Sequence, residues 1–194
     1  MTKRDYENFS PENLAAAAAA LFYKRGYGVG LNEILETAGI YKATFYKYYA
    51  SKDDLAAGYI DVKKTELISL LRQLMKKYPL PAEFFSNWVK LLAKGGKSPD
   101  FYGCPFSNLF AQTLRESAPL AEKLQSAIRE ILSVLSEYLR TAQQTGSLKI
   151  EDNADQLAMR TFTLYEGTMT MYNLTGDAVV FARLNEYLAE LCMS

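Results

Sequence analysis

The chain has 194 residues, 49% of them hydrophobic, and its 22 basic and 22 acidic side chains leave no formal net charge. This length allows one large domain, or a small domain joined to a larger one. The absence of histidine and the wide separation of the two cysteines, Cys104 and Cys192, exclude histidine-based catalytic triads and the common zinc sites. We therefore expect no metal ion and no cofactor.

The N-terminus lacks the apolar run of a signal peptide, and the sequence has no apolar span of 18 residues. These features predict a soluble cytoplasmic protein without a membrane partner. Charge is slightly uneven: residues 1–52 hold seven Lys/Arg against five Asp/Glu, a net of +2, which leaves −2 for the remainder. This imbalance alone does not indicate nucleic-acid binding.

Helical signals follow one another along the whole chain. Ser10-Pro11 begins the first helix and Gly26 ends it; Ser51 caps the fourth and Pro79 stops it. No segment shows the alternation of a strand. The sequence predicts an all-α fold of about nine helices: 11–25, 31–38, 41–49, 52–78, 82–94, 104–117, 119–145, 153–174 and 177–191.

The second and third predicted helices are short and are joined by Ala38-Gly39-Ile40, which are the proportions of a helix-turn-helix motif at about residues 30–49. The segment LFYKRGYGVGLNEILETAGIYKATFYKYYASKDDL, residues 21–55, resembles the DNA-binding region of the TetR family of transcriptional repressors. The matching positions are Leu21, Phe22, Gly26, Tyr27, Ile34, Ala38, Gly39, Ile40, Lys42, Ala43, Thr44, Phe45, Tyr46, Tyr48, Ser51, Lys52 and Leu55.

Three positions depart from the family pattern. Tyr41 replaces a serine that would cap the recognition helix, Gly30 lies in a shortened loop where a small hydroxyl residue is usual, and Tyr49 replaces a phenylalanine. The resemblance implies a three-helix DNA-binding domain at residues 7–67 and a larger helical domain at residues 68–194, which binds ligand and dimerises.

The aromatic residues of the third helix divide into two groups. Phe45 and Tyr49 share one helical face and are expected to pack on the first helix. The hydroxyls of Tyr46 and Tyr48 can donate to phosphate oxygens, and nearby lysines supply positive charge. The predicted DNA-contacting residues are Gly30, Tyr41, Lys42, Ala43, Thr44, Tyr46, Lys47, Tyr48 and Lys52. The alternative is a tyrosine-rich helix that packs in a bundle with solvated lysines.

The last two helices carry apolar stripes that suit another helix. The family resemblance implies dimerisation through these helices, so the predicted dimerisation residues are Phe162, Met169, Phe181, Leu184, Leu188 and Leu191. The alternative is that both stripes form the core of one chain. A dimer is expected because two DNA half-sites require two recognition helices.

The C-terminal part is rich in aromatic residues, which suits an apolar or aromatic small molecule. Asn108 and Gln112 share a face of the sixth helix and are candidate polar anchors. The predicted ligand-binding residues are Trp88, Phe101, Tyr102, Phe106, Asn108, Phe110, Gln112, Tyr138 and Tyr165. The alternative for each of the aromatic residues is ordinary core packing.

Cys104 precedes the sixth helix, where the helix dipole can stabilise a thiolate and create a redox or electrophile sensor. The alternative is a small buried residue at a helix start.

Together these features predict a homodimeric DNA-binding regulator, a repressor that binds a roughly palindromic operator and is released by a small apolar or aromatic ligand. Two other readings stay open: a helical protein-interaction or ligand-binding module without DNA binding, motivated by Tyr41, and a helical enzyme. The enzyme is disfavoured because Glu116, Glu137 and Glu166 have no nucleophile, base or metal ligand at a telling spacing.

Overall fold

The computed structural model describes residues 11–150 and 152–193; the side chains of residues 111–116 and 193 lie outside the described part. Within these residues there are nine helices and no strand, which confirms the all-α prediction. The helices are α1 (Pro11–Arg25), α2 (Leu31–Ala38), α3 (Lys42–Phe45), α4 (Lys52–Lys77), α5 (Pro81–Gly95), α6 (Pro105–Glu116), α7 (Ala118–Gln144), α8 (Ala154–Thr175) and α9 (Val179–Met193).

Helix α3 is shorter than the predicted 41–49. It ends at Phe45, and the chain continues through Tyr49 in tighter turns: the N–H of Lys47 donates to the carbonyl of Thr44 at 3.2 Å, and that of Tyr48 to Phe45 at 2.9 Å. Aromatic side chains lose rotamer freedom in a helix, and four of them fall within residues 45–49. Crowding among these aromatic side chains therefore accounts for the end of the regular helix at Phe45.

The chain divides into two compact units, described here one at a time. The first combines the residues up to Lys63 with Pro105–Ala127, and the second combines Lys64–Cys104 with the residues from Ile128 onward. The sequence predicted a domain boundary after residue 67 and placed residues 105–127 in the C-terminal domain, and these domain bounds stay a prediction. In the structure, residues 105–127 form one compact unit with the helix-turn-helix segment.

The core of the first unit is built from α1, α2, α4 and α6. Helix α1 packs on α2 and α6, and its slim Ala18 is 1% exposed, as close helix packing requires. The rings of Phe22 and Tyr59 meet with centroids 5.7 Å apart. The large buried apolar residues include Leu14, Phe22, Ile34, Leu35, Phe45, Leu55, Ile60, Leu109 and Leu124.

Gly39 ends α2 in the left-handed conformation, with φ 67° and ψ 36°. Its N–H donates to the carbonyl of Glu36 at 3.1 Å, and the N–H of Ile40 donates to that of Leu35 at 3.0 Å. This pair of hydrogen bonds is a Schellman motif, and the burial of both Leu35 and Ile40 completes it. The turn that joins α2 to α3 therefore depends on a residue that tolerates a positive φ.

The second unit packs α5 against α9 and α8 against α9. The backbone at Gly96 lies close to the ring of Phe181, so that an added Cβ would lie 2.7 Å from that ring. Helix α8 begins at Asn153, whose side chain accepts from the N–H of Asp155 at 2.8 Å, and Arg140 of α7 pairs with Asp155 at 3.0 Å. A cap and an ion pair thus set the start of α8 beside α7.

No helix in the described ranges is long and apolar enough to cross a membrane. The described cysteine and carboxylate residues do not form a group of three that could hold a metal ion.

The Gly39 turn generates a first prediction. Gly39→Ala should lower the free energy of unfolding by about 1–2 kcal/mol, because alanine is strained at a positive φ. The matched control is Gly58→Ala, at an exposed position of α4 where an added Cβ meets nothing within 4 Å. This substitution should raise the free energy of unfolding by about 0.5–1 kcal/mol. Urea denaturation measures both. Equal effects of the two substitutions would contradict the assigned turn.

Candidate nucleic-acid interface and ligand-binding core

The residues of α3 and the turns after it present a continuous exposed surface. Tyr41 is 61% exposed, Tyr46 53% and Tyr48 50%, and Lys42, Ala43 and Lys47 are exposed beside them. Thr44 is half-buried. Three large phenol rings on a surface are unusual for a packing element, since such rings normally bury most of their area. We call this set, Tyr41–Thr44 and Tyr46–Tyr48, the recognition surface.

Phe45 anchors the recognition surface from below. Its side chain is 0% exposed and stacks on Tyr49 with centroids 5.7 Å apart and an interplanar angle of 20°. The predicted shared face of these two rings is confirmed. Burial, with Asp54 and Glu12 nearby, raises the pKa of Tyr49 above its usual value.

The N-termini of the two helices of the helix-turn-helix motif, α2 and α3, lack side-chain caps. Tyr41 is the N-cap of α3 and Gly30 that of α2, and neither side chain makes a capping hydrogen bond. The expected loss of a serine cap at Tyr41 is confirmed. Around Gly30 an added Cβ would meet nothing within 4 Å, so the space beside this residue at the start of α2 is open.

Lys52 occupies a different environment from Lys42 and Lys47. Its ammonium donates to the carbonyls of Tyr27 at 3.0 Å and Val29 at 3.4 Å, and it lies 3.7 Å from the centroid of the Tyr27 ring. These contacts hold the α1–α2 loop against the start of α4. Lys52 therefore positions the loop, in addition to the DNA contact that the sequence predicted for it.

Asp53, in the first turn of α4, links three segments of the first unit. Its carboxylate accepts from the hydroxyl of Tyr27 in the α1–α2 loop and, at 2.5 Å, from the hydroxyl of Ser117 at the α6–α7 corner. Ser51 caps α4 beside it, accepting from the N–H of Asp54 at 3.1 Å. Farther along α4, Asp61 pairs with Lys123 of α7 at 2.6 Å. Helix α4 is thus fastened to α7 at two levels.

The predicted ligand-binding residues are divided between the two units. Phe106, Asn108 and Phe110 belong to the first, and Gln112 belongs to it by position, although its side chain lies outside the described residues. The Asn108 amide donates to the carbonyl of Tyr23 in α1 at 3.1 Å. Asn108 therefore ties α6 to α1, and the other predicted anchor, Gln112, is not described.

The remaining predicted ligand residues form two clusters in the second unit. Trp88 stacks on Tyr165 with centroids 5.3 Å apart and on Phe84 at 6.0 Å, and Phe84 meets Tyr138 at 4.9 Å. We call Phe84, Trp88, Tyr138 and Tyr165 the aromatic core. Burial raises the pKa of Tyr138, whose hydroxyl donates to the carbonyls of Tyr78 and Pro79 at 3.3 Å.

Phe101 and Tyr102 lie in the second cluster. Phe101 meets Tyr172 at 5.5 Å and Phe181 at 6.3 Å, and the carbonyl of Tyr102 accepts from the amide of Asn173 at 3.0 Å. The hydroxyl of Tyr172 donates to the carbonyl of Gly96. This cluster fastens the loop before α6 to α8, and Tyr172 was absent from the predicted set.

Two side chains of the second unit are buried without a hydrogen-bond partner among the described residues: the indole Nε1 of Trp88 and the hydroxyl of Thr161. Thr161 was not among the predicted residues. The available signal was a polar residue one helical turn before Tyr165 on the face of α8 that the apolar pattern predicts to be buried.

All six predicted dimerisation residues are buried inside the single chain, from 0% exposed for Leu184 and Leu188 to 7% for Leu191. This is the alternative that the sequence left open. They line the α5–α8–α9 core because α5 covers the stripe of α9. Their side chains are therefore not available at the surface of the chain.

The exposed apolar residues of α8 and α9 lie on other faces: Met159, Met171, Leu174, Val179 and Tyr187. Between the two helices runs a groove of about 300 Å³, lined by Thr163, Leu164, Gly167, Thr168, Met171, Val180, Arg183 and Tyr187. At Gly167 an added Cβ would meet nothing within 4 Å. We call this surface the α8–α9 groove.

A second groove, of about 510 Å³, follows the polar face of α4. It contains Lys64, Arg72 and Lys76, and the Lys64 ammonium pairs with Glu130 at 2.9 Å. Its lining is charged and contains none of the predicted ligand-binding residues.

Both cysteines are shielded. Cys104 is 1% exposed, the small buried residue that the sequence offered as the alternative to a sensor. Burial raises the pKa of Cys192 to about 11, so this thiol is protonated at neutral pH.

The sequence matches two family models. Residues 14–58 match the model described as bacterial regulatory proteins, tetR family, and residues 82–188 match the tetracyclin repressor-like C-terminal domain. The first match covers the recognition surface, and the second covers the aromatic core and the α8–α9 groove.

Known regulators resemble the chain along most of its length. The HTH-type transcriptional regulator LmrA of Bacillus subtilis is 33% identical over 140 residues, which cover 71% of this chain and 73% of LmrA. The HTH-type transcriptional repressor NemR of Escherichia coli is 23% identical over 164 residues, 83% of this chain and 82% of NemR.

Solved structures agree on the fold. The reduced form of E. coli NemR superposes with a TM-score of 0.83 at 20% identity, covering 93% of this chain and 95% of that one. The TetR-family regulator SCO4454 of Streptomyces coelicolor gives a TM-score of 0.81 at 20% identity, with 94% and 93% covered. The chain therefore belongs to the TetR family and is a DNA-binding transcriptional regulator.

Proposed function

We propose that the protein is a homodimeric repressor whose two recognition surfaces bind successive major grooves of a roughly palindromic operator, and that a small apolar effector releases it. The observation that carries the proposal is the recognition surface itself: exposed lysines and tyrosine hydroxyls held in place by a buried Phe45. Lysine ammonium groups and phenol hydroxyls are the donors that contact phosphate oxygens. NemR, a similar protein, is named a repressor.

In this proposal each side chain has a distinct task. Lys42 and Lys47 approach the phosphate backbone, Tyr46 and Tyr48 donate hydrogen bonds to it, and the uncapped start of α2 at Gly30 receives a further phosphate. Ala43 and Thr44 are small enough to bring the backbone of α3 close to base edges. Tyr41 lies at the groove edge and limits which operator sequences fit.

Dimerisation is proposed through the α8–α9 groove. Its exposed methionines and Leu174 are apolar area that a second copy would remove from water. Gly167 leaves room for the backbone of an approaching helix. Half-sites one helical turn apart require the two recognition surfaces of the dimer to lie about 34 Å apart.

Effector and operator are proposed to oppose each other through α4 and α7. Helix α4 begins in the head at Lys52 and continues as one helix to Lys77, and the Asp53–Ser117 and Asp61–Lys123 contacts fasten it to α7. An effector that moves either helix therefore changes the position of the recognition surface. The coupling is reciprocal and typically about 1–3 kcal/mol.

The enzyme reading receives no support from the relatives, which are named as transcriptional regulators.

Fragments selected from genomic DNA provide the operator, and fluorescence anisotropy measures its affinity at several salt concentrations. Lys47→Ala should weaken binding about five- to tenfold and reduce the slope of log affinity against log salt by about 1, because one phosphate contact is lost. The control is Lys90→Ala, an equally charged exposed position on α5. Failure to select any fragment with the folded protein would favour the non-DNA-binding module.

Lys52→Ala should behave differently from Lys47→Ala. Loss of the carbonyl hydrogen bonds and of the contact with the Tyr27 ring should lower the free energy of unfolding by about 1–2 kcal/mol. Lys47→Ala should leave stability within about 0.5 kcal/mol of the parent, as an exposed substitution. Denaturant unfolding of the two variants measures this contrast, and equal stability would show that the Lys52 contacts contribute little.

Met171→Glu should disrupt the dimer, because it places a charge in the apolar α8–α9 groove. The matched control is Leu91→Glu, a 42% exposed apolar residue on α5. Light scattering coupled to gel filtration gives the mass, and operator affinity should fall at least about tenfold with the dimer. An intact dimer in Met171→Glu, or a monomer in Leu91→Glu, would move the interface elsewhere.

A further inference from the structure

Two hydrogen-bond donors lie buried in the second unit without a partner in the described part of the chain: the indole N–H of Trp88 and the hydroxyl of Thr161. Both residues are 0% exposed. Indole nitrogen is a donor only, whereas a hydroxyl both donates and accepts. Nearly all buried polar groups in folded proteins have partners, so two exceptions in one unit point to a partner that arrives from outside.

Both donors adjoin the same aromatic surface. Tyr165 follows Thr161 by one turn of α8, and both side chains are buried, so they share a face of that helix. The Trp88 ring stacks on Tyr165 with an interplanar angle of 22°, and Phe84 stacks on Trp88 at 19°. Flat aromatic rings thus stack on the indole of Trp88, and the Thr161 hydroxyl lies one helical turn from one of them.

The aromatic core contains no buried charge. Across the described residues, the buried polar side chains are Ser117, Ser136, Thr161 and Thr168, and none of them is ionised at neutral pH. A charged ligand would lose its hydration without gaining a counter-charge, which is costly. An uncharged acceptor, in contrast, would satisfy the donors at little desolvation cost.

We infer that the aromatic core recognises a neutral, apolar effector that carries a hydrogen-bond acceptor, such as a ketone or ester carbonyl oxygen. The apolar part of the effector lies against the rings of Trp88 and Tyr165, and its oxygen accepts from the indole N–H of Trp88 and the hydroxyl of Thr161. The inference rests on the proposed function in one respect: it names the chemical class of the effector that releases DNA.

The free protein provides the first test. Thr161→Val keeps the side-chain volume and removes a hydroxyl without a partner, so it should raise the melting temperature by about 2–4 °C. The matched control is Thr168→Val on the same helix, where the hydroxyl already donates to the carbonyl of Leu164 at 2.8 Å; it should not raise the melting temperature. An unchanged or lower melting temperature for Thr161→Val overturns the inference, because the hydroxyl would then have a partner.

The second test uses probes of two sizes. Acetophenone and 2-acetonaphthone supply the carbonyl; α-methylstyrene and 2-isopropenylnaphthalene replace its oxygen with a CH₂ group, and benzoate and 2-naphthoate add a charge. Trp88 is the only tryptophan of the chain, so its indole N–H gives one resonance in a ¹H–¹⁵N spectrum. Binding of a carbonyl oxygen to that N–H should move this resonance downfield.

At least one ketone should bind about tenfold more tightly than its alkene, although the alkene is the more hydrophobic molecule. Thr161→Val should weaken ketone binding by about tenfold without changing alkene binding, and Thr161→Ser, which keeps the hydroxyl, should retain the preference. Equal binding of ketone and alkene, a preference for the carboxylate, or an indole resonance that no ketone moves would each overturn the inference.

Operator binding separates this inference from the proposed function. The selective ketone should release the parent protein from its operator, whereas Thr161→Val should bind operator normally and require about tenfold more ketone for release. Operator binding by a protein that shows no ketone selectivity overturns the inference alone. Ketone selectivity in a protein that selects no DNA supports the assigned acceptor chemistry and overturns the proposed function.

Discussion

The carboxylate of Asp53 is the contact on which the first unit depends. It accepts from Tyr27, which precedes α2, and from Ser117, which precedes α7, while itself lying in the first turn of α4. A carboxylate in this turn also interacts favourably with the helix dipole. One acidic side chain therefore fixes where α4 starts, how the α1–α2 loop lies and where α6 gives way to α7. Lys52, bound to the carbonyls of Tyr27 and Val29, reinforces the same junction.

The recognition surface shows how this rigidity serves binding. A four-residue helix such as α3 has little stability of its own, since most helical stability comes from packing and short helices pay the nucleation cost in full. Burial of Phe45 and the Schellman turn at Gly39 hold α3 to the head from one side. Tyr41, Tyr46, Tyr48 and the lysines can then remain exposed without disordering the segment. Stability and contact chemistry thus reside in different residues of one short stretch.

The aromatic residues of the second unit are arranged in the opposite way from those of the recognition surface. They are buried, yet the indole of Trp88 and the hydroxyl of Thr161 lack partners in the described chain. Each unsatisfied donor costs about 1–3 kcal/mol. The inferred effector would supply the missing acceptor and would thereby stabilise this core. That property is suited to a protein whose operator affinity responds to a ligand.

Much of the fold followed from local signals. Pro11, Gly26, Gly39, Ser51 and Pro79 marked helix ends at nearly the observed positions, because caps, positive φ values and proline geometry act within a few residues. The end of α3 at Phe45 was not predicted. It depends on which of the neighbouring aromatic side chains is buried, and burial is decided by contacts with the rest of the unit. Helix α6 packs on α1 within the first unit, which is a long-range contact that the order of residues along the chain does not specify.

The sequence by itself determined the helical class, the DNA-binding head and the family, all of which depend on residue types at fixed short spacings. Only the tertiary structure decided which long-range partners those residues have. It placed Leu184 and Leu188 in the core of one chain, joined Asn108 to α1, and brought Trp88 beside Tyr165, one helical turn from Thr161. The physical reason is that an apolar stripe specifies a face that must be buried, whereas the partner that buries it is selected by the packing of the whole unit.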